Sequence, residues 1–106
     1  MTTESETKYG PDSKIYREFV EYHTKHPEVY WQLRDLALQW KRAGNSRIGI
    51  GMLFEVIRWN DGIRPDRDPD EEFVLNNNYR SHYARLLMEH EPELEDIFEV
   101  RRLRSA

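Results

Sequence analysis

Asn78, Ser81, His82 and Arg85 stand at i, i+3, i+4 and i+7 in the stretch FVLNNNYRSHYARLLM, residues 73–88. On a helix that spacing gathers an amide, a hydroxyl, an imidazole and a guanidinium on one side. Asparagine can bond bidentately to adenine and arginine to guanine, while serine and histidine reach base edges or phosphates. The helix start, capped by the run Asn76–Asn78, adds backbone donors for a phosphate. Between Asn76 and Met88 there are two arginines and no acid. The pattern therefore points to double-stranded DNA, contacted by Asn77, Asn78, Ser81, His82 and Arg85. Arg101, Arg102 and Arg104 would grip the backbone from a terminal strand. A polar helix face is also what plain solvation produces, so the alternative is a helix that binds nothing there.

Other candidate chemistry is thinner. His23 and His26 have the spacing of two metal ligands, but no third ligand stands near them and Pro27 follows at once. Six acids between Glu89 and Glu99 read as a solvated end. Gly49 and Gly51 in RIGIGM lack the longer phosphate-loop pattern and its Lys-Ser or Lys-Thr, so backbone freedom or close packing is their expected role. No serine, histidine and aspartate have a spacing that suggests a nucleophile. No enzyme, cofactor or metal is expected.

The elements that must position these residues follow from length and periodicity. The chain has 106 residues, enough for one domain with a modest core. Hydrophobic residues make up 38% and include three Trp, six Tyr and four Phe, which argues for a folded chain despite 34% charged residues. The net charge of −4 gives no bulk attraction to nucleic acid, so any such contact must come from local charge. Cysteine is absent, which excludes disulfides and cysteine-based zinc sites. The polar start MTTESETKYGPDS has no signal-peptide character, and no apolar run could span a bilayer. The expectation is a soluble cytoplasmic protein.

Residues 1–12 read as a disordered arm, and residues 13–106 as a single domain. Ile15, Phe19 and Tyr22 mark a first helix capped by Asp12 or Ser13. Pro27 opens a second, whose apolar face runs from Val29 and Tyr30 to Trp40 and which stops at Gly44. Trp31 and Leu38 lie opposite that face, available to the first helix or a second subunit. Ser46 to Ile50 reads as a short strand or extended lead-in. Met52, Leu53, Val56, Ile57 and Trp59 make a third helix, apolar nearly all round and therefore expected to be the most buried element. The stretch NDGIRPDRDPDEE, with six acids, is a solvated loop. Phe73–Leu75 forms a brief strand, the fourth helix runs to about Glu89 or His90, and FEVRRLRS is a terminal strand. The sum is a mainly α fold with a small β-element, four helices plus short strands, like a winged helix-turn-helix. The connection before the fourth helix, about 13 residues, is long for that motif.

The stretch RIGIGMLFEVIRW … FVLNNNYRSHYARLLMEHEPEL … FEVRRLRS resembles a family of small bacterial and phage-encoded proteins of uncharacterised role. The resemblance covers about residues 26–105, with NNNYRSHYARLLM its most distinctive part. It implies a winged-helix-like domain in a bacterial or phage setting and supplies no activity. The overall acidity and exposed Trp31 and Leu38 support an alternative function, a protein-interaction adaptor, with a homodimer compatible with either reading.

Overall fold

The computed structural model describes residues 13–98, and four helices organise them: α1 (Lys14–Lys25), α2 (Pro27–Arg42), α3 (Ile50–Gly62) and α4 (Arg80–His90). Short 3-10 turns at Asn77–Tyr79 and Pro92–Leu94 bracket α4. No described helix is long and apolar enough to cross a membrane.

Each helix boundary has a local cause. Ser13 sits in extended backbone, and its hydroxyl accepts from the Tyr16 amide at 3.0 Å, which starts α1. His26 ends α1, and Pro27, whose missing N–H costs nothing in a first turn, begins α2 one residue later. The end of α2 needs a left-handed residue, supplied by Gly44 at φ +104°. The Trp40 indole donates to the Arg47 carbonyl at 2.7 Å and folds the connection back against α2. Gly49 then caps α3. A side chain at Gly51 would press on Arg80 at 3.0 Å, so glycine lets the Arg80 guanidinium lie across α3.

The core draws on every helix. Val29, Leu33 and Ala37 of α2 meet Leu53, Phe54 and Ile57 of α3 and Tyr83 and Leu87 of α4. Leu94, Ile97 and Phe98 close one end, with Leu94 and Ile97 fully buried. Arg42 fastens this segment to α2 through a two-pronged contact with Glu93, both distances 2.9 Å. Arg34 Nε lies 3.0 Å from Glu91 and adds a half-buried ion pair.

Three expectations require correction. The small β-element reduces to one parallel bridge between Ile48 and Phe98, and the described residues contain no strand and no wing. Gly49 already caps α3, and the Arg47 carbonyl accepts from the Trp40 indole, so the pairing at Ile48 stays a single bridge. Phe73–Leu75 finds no neighbouring strand because side chains take its carbonyls: Tyr22 donates to Val74 O at 2.8 Å, and Arg58 to Leu75 O at 2.6 Å. The expected terminal strand falls almost wholly outside the described residues. Secondly, α3 is not the most buried element. Met52 and Trp59, with Ile63 just past the helix, are 50%, 68% and 60% exposed. Thirdly, Leu38 is buried at 5%, so it offers no surface, whereas Trp31 is exposed with Arg34 over its ring.

The acidic loop is also more ordered than a purely solvated one. Arg64 reaches Glu71 at 2.7 Å, and Arg67 reaches Asp61 at 3.2 Å. The two arginines fold the carboxylates back toward the end of α3.

If the C-terminal segment belongs to the core, Leu94→Ala will cost about 2–5 kcal/mol in urea unfolding. Glu95→Ala, exposed beside it, will stay within about 0.5 kcal/mol of the parent. Equal, small losses for both would contradict this packing.

Candidate functional site

The polar residues singled out around α4 do not share one outward face. Asn76 caps the 3-10 turn, its Oδ1 accepting from the Asn78 amide at 2.8 Å. Asn77 is exposed, but Arg58 donates to its Oδ1 at 2.5 Å, tying it to α3. Asn78 is exposed, and Ser81 and Arg85 are half-buried. His82 is 5% exposed and belongs to the core stripe of Tyr79, Tyr83 and Leu87. Arg101, Arg102 and Arg104 lie outside the described residues.

His82 is turned inward because α1 covers it with rings. Its imidazole stacks on Phe19 at 5.2 Å and meets the edge of Tyr16 at 5.4 Å. A neutral imidazole suits such a pocket; a charged one does not. Burial pushes its pKa below the ordinary histidine value of 6.5, and the nearby Arg85 charge pushes the same way. His23 stacks near-parallel on Phe19 at 5.8 Å, and burial lowers its pKa too, helped by His90. His26, by contrast, packs on Tyr22 and lies 3.4 Å from Glu28. Among the described residues, no three metal-ligating groups converge.

A broad concavity lies elsewhere among the described residues. An open groove of about 1090 Å³ runs between α1, the first half of α2, the end of α3 and residues 71–76. Its apolar lining comprises Tyr22, Val29, Leu36, Ile57, Phe73, Val74 and Tyr79. Seven acids border it (Glu18, Glu21, Glu28, Asp35, Asp61, Glu71 and Glu72) against Lys25, Arg64 and His26. The Tyr22–Val74 hydrogen bond holds the 71–76 segment against α1. The field inside is negative enough to act on the phenols. Burial first, then Glu28 and Tyr79, push Tyr22 up to about 12. Burial, Glu18 and Glu21 raise Tyr79.

Sequence reasoning missed this groove. Its partial signal was the spacing Glu18–Glu21–Tyr22–Lys25 on α1 and Glu28–Gln32–Asp35 on α2, polar rims beside apolar stripes. The closing wall is the 71–76 segment, whose position depends on the long-range Tyr22–Val74 bond. No protein-family model, no curated protein and no solved structure matches the chain.

Buried His82 and half-buried His23 set a pH dependence. Their folded pKa values lie below 6.5, so the unfolded chain binds protons first as pH falls. Their contribution to stability is therefore fully present above about pH 6.5, declines as pH drops through that value, and levels off below the folded values. The Glu93 carboxyl, held down by its Arg42 hydrogen bond, acts only below its ordinary 4.5. Thermal unfolding at pH 5.5 will accordingly show a lower midpoint than at pH 7.5, and His82→Leu will narrow the gap. An identical midpoint at both pH values would refute neutral imidazoles packed on Phe19.

Proposed function

We propose that this protein is a binding module, not an enzyme, and that its groove receives a basic segment of a partner protein. The observation that carries this reading is the pairing of an apolar lining with a rim of seven acids and few bases. Apolar side chains of a partner would bury against Tyr22, Val29 and Phe73, where most of the affinity would arise. Lysine or arginine on its flanks would meet the carboxylates, speeding association and rejecting acidic competitors. Glu18 and Glu72 are the rim acids with no ion pair among the described residues, so they remain available to a ligand.

A second reading keeps the expectation of double-stranded DNA. Its support is the start of α4, where Asn78 and Arg80 are exposed, Arg85 is half-exposed and the first turn has no acid. The inward turn of His82 and the engagement of Asn77 shorten its contact set, and the acid-rimmed groove repels phosphate.

One titration series separates the two. A labelled peptide of repeated Leu-Lys-Lys-Leu will bind saturably, while its Leu-Glu-Glu-Leu counterpart will not. Glu18→Lys combined with Glu72→Lys will weaken binding about tenfold or more, and added salt will weaken the parent's binding. Equal binding of both peptides, or no saturation, would defeat the groove reading. Saturable binding of a 20-base-pair duplex, weakened by Arg85→Ala, would carry the DNA reading instead.

A further inference from the structure

The chain itself carries a segment with the chemistry that the groove calls for. Two stretches of sequence lie outside the described residues, 1–12 and 99–106. Residues 1–12 set Glu4, Glu6 and Asp12 against Lys8, so a rim of carboxylates repels them. Residues 99–106, EVRRLRSA, set Arg101, Arg102 and Arg104 against Glu99, with Val100 and Leu103 among them. That is a basic segment with two apolar side chains, and the groove is an apolar floor bordered by seven acids.

We propose that residues 99–106 dock in the groove of their own chain and occupy it until a partner displaces them. This rests on the reading of the groove as a site for a basic segment. Leu103 supplies the apolar anchor, and the three arginines answer the rim carboxylates. Charge selects this occupant over the acidic residues 1–12.

The connection allows it. Phe98, the last described residue, forms a parallel bridge with Ile48. The chain therefore leaves Phe98 in the sense in which Ile48 runs on into α3. The far end of α3 borders the groove through Ile57, Asn60 and Asp61. Ile48 to Ile57 is roughly 15 Å at the ordinary rises of extended and helical residues, and residues 99–104 span up to about 20 Å. A tethered segment also acts at about millimolar effective concentration, so an intrinsic Kd of about 0.1 mM keeps the groove about nine-tenths filled. A separate ligand then binds about tenfold more weakly than it would to an empty groove.

Peptide titration and amide NMR on the full chain test this together. In one variant, Arg101→Gln, Arg102→Gln, Leu103→Ser and Arg104→Gln are combined. It will bind the labelled Leu-Lys-Lys-Leu peptide about tenfold more tightly than the parent. Leu103→Ser alone, which keeps the net charge, will tighten binding about threefold. The combined variant will also move the amide signals of Tyr22, Val74 and Tyr79, with unchanged far-UV circular dichroism. Equal peptide affinity in all three chains overturns this inference and leaves the groove reading standing. Shifts confined to the surroundings of Ile48 and Phe98 overturn it as well. Shifts that grow with protein concentration would place the segment in another copy's groove and refute docking within one chain. No peptide binding by any chain, with the groove amides unmoved, sinks both readings.

Discussion

The ring of Phe19 is the contact from which most of the architecture follows. It projects from α1 into a cage of aromatic groups, with His82 at 5.2 Å and the Tyr83 edge at 4.8 Å from α4. Tyr79 closes another side at 5.9 Å. Such edge and stacked pairs add about 0.5–1.5 kcal/mol each beyond the area they bury. The contact fixes α1 on α4, and α1 in turn supplies one wall of the groove and, through Tyr22, the anchor for residues 71–76. It also withdraws His82 from any partner. One packing choice thus builds the concave surface and dismantles the outward face that the residue types of α4 suggested.

Charge is distributed with a matching economy. Arginines spread along the chain are spent inside the molecule: Arg58 clasps Leu75, Asn77 and Glu55, Arg42 clasps Glu93, and Arg64 and Arg67 fold the acidic loop onto α3. Exposed pairs of this kind contribute little stability one by one. Their greater effect is positional, because Arg58 joins the middle of α3 to the chain entering α4. At the groove, acids outnumber bases, and Glu18 and Glu72 of its rim have no ion pair among the described residues.

The four helices were legible in the sequence because their boundaries are local. Ser13, Pro27, Gly44 and the Asn76–Asn78 run each act within one turn. The β-element was overread, because a short alternating run cannot announce whether a neighbour exists to pair with it, and here side chains took the carbonyls of Val74 and Leu75. His82 was misassigned for a related reason. A wheel sorted by polarity puts histidine with serine and arginine, yet a neutral imidazole packs well on phenylalanine when another helix provides one. The α3 run was read as apolar nearly all round and therefore buried, but Glu55, Arg58 and Asp61 interrupt it, and among the described residues only the side with Leu53, Phe54 and Ile57 is covered. The groove depended on contacts such as Tyr22 to Val74, 52 residues apart, which no local pattern encodes.

Phe19 holds a neutral His82 between α1 and α4. Carbon-edited NMR with assigned ring protons measures this directly. Cross-peaks will run from the Phe19 ring to the His82 and Tyr83 rings, and the His82 imidazole will titrate below 6.5. Absent cross-peaks, with His82 titrating at the ordinary value, would mean that α1 does not sit where the groove requires it.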